Sequence, residues 1–371
     1  MLSMVGDRGP PSKRVCARRR RAHTIRRMRA KWRRWWPAVK WLLGLAILVL
    51  VGRQFARDLQ RPDLWQRPLR PEWLAVAGLL YLLGIGLSAV YWRRLLGHLG
   101  PRPTLLSAAR AYYVGHLGKY LPGKAWAVFI RASLVRAAGV SLGLATLTTF
   151  YEVLTTMAAG ALVAALLFPL VGTAGTAPHW DTLLQLARLQ VPPEGVPTVA
   201  ATLLAAVLLL VTGVPLLPPV FNRLAHHLSL PFRDREVTLP RVHHTHLAEG
   251  LLLAGCGWLL LGASLGAALH AILGPELPWS VVGLGRLAAV MGLSYVAGFV
   301  IVVSPGGLGV REFCLTLFLT PELAALGLEA DSARAVAVLA VLVLRLVWTL
   351  AEVVMAGLLY WLPMPRGTES R

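Results

Sequence analysis

Lysine is nearly missing from this sequence. Of its 38 basic residues only five are lysine, Lys13, Lys31, Lys40, Lys119 and Lys124; the others are arginine. Acids are scarce too, 17 in 371 residues, which leaves a formal charge of +21. Cysteine is limited to Cys16, Cys256 and Cys314, without the paired spacing that a disulfide framework or a zinc site requires. No Gly-x-x-x-x-Gly-Lys-Ser/Thr loop occurs, so there is no sign of a nucleotide-driven engine. Polar stretches outside the apolar runs are too short for a soluble catalytic domain.

Apolar sequence is what remains. Hydrophobic residues make up 56% of the chain and mean hydropathy is +0.61. Runs of that length and character predict an all-α polytopic membrane protein. Residues 1–36 form a basic tail, 37–362 a membrane domain and 363–371 a short C-terminal tail. The first 40 residues contain 14 Lys/Arg against one acid, Asp7, so the positive-inside rule puts this end on the cytoplasmic side of the cell (inner) membrane. No nucleic-acid fold accompanies the charge, and no nucleic-acid partner is expected. The apolar run near 41–51 passes straight into Arg53 and Gln54 without a small-residue cleavage site, which predicts a signal anchor.

Six full spans are expected, at 37–55, 72–92, 140–168, 198–221, 247–273 and 332–361. Alternating them across the bilayer leaves both termini cytoplasmic. Two shorter pairs stand apart. Segments 105–117 and 125–137 are each below the roughly 20 residues that a crossing needs, and they flank Gly118-Lys119-Tyr120-Leu121-Pro122-Gly123-Lys124. They read as a re-entrant hairpin entering from the cytoplasmic side, or else as an amphipathic surface pair. Segments 281–303 and 310–320 flank Ser304-Pro305-Gly306-Gly307-Leu308-Gly309-Val310-Arg311-Glu312 and read as a second hairpin from the outer side. His243, His244 and His246 lie in a basic loop without acidic or cysteine partners, so no metal is assigned to them.

Each half then holds two spans, a broken hairpin and a final span with one buried glutamate, Glu152 or Glu352. Opposite orientation of the halves matches the inverted-repeat plan of many transporters, whose substrate sits between broken helices near mid-bilayer.

Proline and glycine interrupt helices, and an interruption within a membrane is tolerated where protein or trapped water satisfies the backbone. A helix restarting after such a break offers unpaired amides to an anion. Pro122 suits the first turn of that helix, while Gly123, Pro305, Gly306 and Gly307 allow close approach of a ligand. Lys124 and Arg131 are two turns apart and share a face, as do Arg345 and Glu352. Charged residues at membrane depth cost about 2.5–3.5 kcal/mol each and usually mark a pathway. Lys119, Lys124, Arg131, Arg311 and Arg345 outnumber Glu152, Glu312 and Glu352, so a pocket for an anionic group, most naturally a lipid phosphate, is expected. Under the simpler alternative these bases only pair with the acids to hold helices together.

At these breaks the sequence resembles the membrane domain of the lysylphosphatidylglycerol synthase/flippase family, also known as flippase-like integral membrane proteins. The resemblance is carried by 118–124 with Arg131, and by 305–312 with Arg345 and Glu352, and it covers roughly 37–362. It implies re-entrant helices and movement of a lipid, such as an aminoacylated phosphatidylglycerol, between leaflets. Only ten residues follow Trp361, so the soluble aminoacyl-transferase activity is not expected, nor is a cofactor. The expected function is that of a lipid transporter rather than an enzyme, with Lys119, Tyr120, Pro122, Gly123, Lys124, Arg131, Glu152, Pro305, Gly306, Gly307, Arg311, Glu312, Arg345 and Glu352 meeting the lipid. Alternatives are a non-catalytic subunit serving a synthase or glycosyltransferase partner, and a membrane-embedded transferase.

Overall fold

Small residues mark the places where the helices of this protein cross. The computed structural model describes residues 69–120, 125–173, 198–229, 241–274, 277, 280–300 and 309–362. The expected span at 37–55, both tails, and break residues Pro122, Gly123, Lys124, Pro305, Gly306 and Gly307 lie outside them. Ten α-helices and no strand occur among the described residues. They are α1 Pro71–Leu99, α2 Leu105–His116, α3 Ala125–Val135, α4 Leu142–Val171, α5 Thr198–Gly213, α6 Pro218–Ser229, α7 His244–Leu273, α8 Val281–Val300, α9 Val310–Ala324 and α10 Ala330–Trp361.

Among the described residues, six stretches are long and apolar enough to cross a membrane: α1, α4, Thr198–Leu216, α7, α8 and α10. At 1.5 Å per residue, 20 residues extend about 30 Å, the thickness of the hydrocarbon layer. Helix α8 reaches that length with 20 residues, although the sequence reading treats 281–303 as one arm of a hairpin. Helices α2, α3 and α9 have 12, 11 and 15 residues, too few to cross.

The expected single span at 198–221 is divided. Helix α5 stops at Gly213, a 3-10 turn covers Val214–Leu216, and α6 begins at Pro218. Pro215, Pro218 and Pro219 account for the division, because each removes an amide donor and crowds the preceding turn. Asn222 of α6 then holds the backbone of Val242 through two 3.0 Å hydrogen bonds. The histidine-containing loop is also shorter than expected. His243 caps α7, donating its backbone N–H to Nδ1 of His246 at 3.2 Å, and the other two histidines belong to the first turn.

Without a hydrophobic driving force between helices in lipid, close backbone approach and buried hydrogen bonds bring them together. A Cβ at Gly84 of α1 would lie 3.1 Å from the carbonyl of Gly257 on α7, and one at Gly292 of α8 would lie 2.5 Å from that of Gly160 on α4. Gly160 also makes room for the Trp258 indole, which donates to the Thr156 carbonyl at 2.8 Å. Ser264 of α7 donates to the carbonyl of Ala77 at 2.7 Å and accepts from the Trp348 indole at 2.9 Å, tying α1, α7 and α10. This pinned frame carries the short helices on its flank.

Candidate functional site

The first short pair is built on glycine. Thr104 caps α2, accepting from the Ser107 amide at 3.2 Å, and the helix tightens into a 3-10 turn over Leu117–Tyr120. A Cβ at Gly115 would fall 2.3 Å from Cγ of Arg131, and one at Gly118 would fall 2.6 Å from the Ala127 amide nitrogen. These two positions let α3 pack directly on α2 and allow the Arg131 side chain to cross it.

Arg131 therefore reaches Glu152 of α4. Its Nη1 donates to Oε2 at 2.7 Å, and both side chains are buried, at 4% and 2% exposure. Tyr112 and Thr156 donate to Oε1 of the same carboxylate at 2.9 and 3.2 Å. The guanidinium carbon sits 3.8 Å from the Tyr112 ring centre, a cation–π contact. The charge is thus met within the protein by a carboxylate and an aromatic face, while the buried Nε of Arg131 has no hydrogen-bond partner.

Glu352 of α10 faces the other side of the hairpin. Tyr81 of α1 and Lys119 both donate to its Oε1, and the Tyr120 hydroxyl donates to Oε2 at 2.9 Å. His116 brings Nε2 to 3.7 Å from Oε1 and 3.5 Å from the Tyr81 hydroxyl. The Tyr120 hydroxyl also lies 3.0 Å from Thr349 Oγ1. The Tyr81 ring stacks on Trp348, centroids 4.2 Å apart.

The second break contributes a third carboxylate. Gly309 has φ 87°, a left-handed conformation that favours glycine, and its amide donates to Oε2 of Glu312 at 2.8 Å. Oε1 of Glu312 accepts from Arg311 at 2.7 Å and from Arg345. Arg311 also lies 4.4 Å from the Tyr295 ring centre.

Arg345, Thr349 and Glu352 follow one another at helical spacing along α10, so a single stripe meets both breaks. The stripe has a polarity. Side-chain exposure is 35% for Lys119, 29% for Arg345 and 18% for Arg311, against 1% for Glu352 and 6% for Glu312. The carboxylates sit behind and the bases in front.

Eight residues singled out from the sequence are described, and they fall into two groups. Lys119, Tyr120, Arg311, Glu312, Arg345 and Glu352 line the α10 stripe, whereas Arg131 and Glu152 form a separate buried pair. Each of these bases has an acid partner, as the simpler alternative expects, yet three stripe bases share two carboxylates. Sequence reasoning missed Tyr81, His116, Tyr295 and Trp348. Only His116, two residues before the first break, had a positional signal.

A chain whose described residues are helical, with six stretches among them able to cross a bilayer and an ion pair buried between helices, is a multi-pass membrane protein. Residues 37–351 match the family described as the lysylphosphatidylglycerol synthase TM region, and the chain belongs to that family. No curated protein matches it, and no solved structure does.

Proposed function

We propose that this protein moves a lipid with an anionic, phosphate-bearing headgroup between the leaflets of a cell membrane. The observation that carries the reading is the polarity of the α10 stripe. Lys119, Arg311 and Arg345 are partly exposed while their carboxylate partners are buried, so the accessible side is positive. Arginine presents a planar fork suited to phosphate oxygens, and lysine a compact charge beside it.

The flank of the stripe is apolar. Leu346, Leu350 and Val353 on α10 are 71%, 66% and 51% exposed, and Trp126 and Phe129 of α3 stand out beside the hairpin. Those side chains suit acyl chains that remain in the bilayer while the headgroup engages the bases. Family membership supports a role with membrane lipids. In this reading α2 and α3 dip in from the cytoplasmic face, and the protein makes or breaks no covalent bond.

Proteoliposomes holding a fluorescent phosphatidylglycerol test the proposal. Dithionite quenches only outer-leaflet probe, so movement is read as the fraction that becomes quenchable. Wild type is expected to exceed protein-free vesicles, with Lys119→Ala and Arg311→Ala slower at equal incorporation. Equal quenching with and without protein would overturn the reading.

A further inference from the structure

His116 occupies the gap between the two carboxylate networks. On one side its Nε2 is 3.7 Å from Glu352 Oε1 and 3.5 Å from the Tyr81 hydroxyl. On the other its ring stacks on Tyr112 at 15°, centroids 6.1 Å apart, and Tyr112 donates to Glu152. Its side chain keeps 23% exposure beside an almost fully enclosed Glu352. Burial and the nearby Lys119 and Arg131 cations hold this imidazole well below the ordinary histidine range, so it is neutral until acid pH, and an anionic headgroup that neutralises Lys119 removes one of the charges that hold it down.

The groups facing it come from every neighbouring element. Tyr81 approaches from α1, Tyr112 from its own helix, Lys119 from the 3-10 turn and Glu352 from α10. Arg131 of α3 is within electrostatic range, and Arg311 and Arg345 are within range of Lys119 in turn. Neutral His116 leaves Oε1 of Glu352 to Tyr81 and Lys119. Protonated His116 puts a second cation beside the same oxygen.

We propose that His116 is a proton-operated positioning residue whose imidazolium competes with Lys119 for Glu352 and releases Lys119 toward an anionic headgroup. One proton enters at His116 Nε2, no covalent bond changes, and Lys119, whose pKa burial lowers to about 8, keeps its charge at acid pH. Loss of that proton returns Lys119 to Glu352 and frees the headgroup. Proton binding and anion binding are therefore linked, each favouring the other. The inference rests on the anionic-lipid reading of the stripe, and it adds the group that sets when the stripe is available.

Two readouts keep the inference and that reading distinguishable. The first is the rate of fluorescent phosphatidylglycerol movement in proteoliposomes from pH 4.5 to 7. The second is stabilisation of detergent-solubilised protein by phosphatidylglycerol over phosphatidylcholine across the same range, which requires no transport. Both are expected to rise several-fold toward acid pH in wild type and to stay flat in His116→Gln. His98→Gln alters a histidine 3.8 Å from Glu249 at the far end of α1 and is expected to keep the wild-type profile. Should His116→Gln fail to fold, Tyr81→Phe preserves the ring stack on Trp348 and deletes a hydroxyl that Glu352 accepts from; it is expected to move the midpoint upward. Lipid stabilisation that tracks pH through His116 without any transport would overturn the transport reading and leave this inference standing. Identical pH profiles in wild type and His116→Gln, or an unmoved midpoint in Tyr81→Phe, would overturn the inference.

Discussion

The Tyr120 hydroxyl, at the first break, donates a 2.9 Å hydrogen bond to the carboxylate of Glu352, 232 residues later in the chain. Seven residues before Glu352, Arg345 reaches Glu312 just past the second break. The last long helix is thus the common support of both interruptions. Its stability and that of the hairpin can be separated from lipid handling by substitution.

Arg131 and Glu152 are expected to matter for stability first. Glu152→Gln leaves a guanidinium buried without its counter-charge, which costs about 3–5 kcal/mol. Melting of detergent-solubilised protein should fall sharply, and the double variant Arg131→Met with Glu152→Leu should recover most of the loss. A double variant as unstable as Glu152→Gln would mean that the pair does more than satisfy its own burial.

Gly118→Ala should separate the hairpin arms. The new methyl would lie 2.6 Å from the Ala127 nitrogen and 2.7 Å from its Cα, backbone atoms that cannot rotate away. A loss of about 1–3 kcal/mol is expected, the usual cost of overpacking. Gly143→Ala at the start of α4 meets nothing within 4 Å and should be neutral or slightly stabilising, by up to about 1 kcal/mol. Equal melting of the two variants would contradict this packing.

Glu312 combines a cap and a counter-charge, and two substitutions divide these roles. Glu312→Gln retains an oxygen for the Gly309 amide but leaves Arg311 and Arg345 without their carboxylate. Glu312→Ala loses both. Melting temperatures are expected to fall in the order wild type, glutamine, alanine, with a step of about 1 kcal/mol for the lost cap. Coincident glutamine and alanine values would show that the capping bond contributes nothing.

Much of this was legible in the sequence because membrane physics makes the signals strong. Apolar runs of about 20 residues announced α1, α4, α7 and α10, and the shorter runs on either side of the glycine- and proline-containing stretches announced α2, α3 and α9, whereas α8 reads from the sequence as a hairpin arm. The spacing of Arg345 and Glu352 gave their shared face. Which base meets which acid was not legible: Arg131 and Lys119 lie twelve positions apart but face different carboxylates, since the crossing through Gly115 and Gly118 directs one to α4 and leaves the other toward α10. Tyr81 and Trp348 were invisible for a different reason. Inside an apolar helix an aromatic residue looks like any lipid-facing or packed side chain until its neighbours are known. The division after Gly213 carried a signal, Pro215, Pro218 and Pro219, that an unbroken apolar run concealed.

Charge selectivity tests the central claim most directly. Movement of fluorescent phosphatidylglycerol and fluorescent phosphatidylcholine is compared in the same proteoliposomes for wild type, Lys119→Ala and Arg345→Ala. Bases held in front of buried carboxylates predict faster movement of the anionic lipid in wild type, and a ratio that falls several-fold toward unity in both variants. A wild type indifferent to headgroup charge, or variants that keep the full preference, would contradict the account.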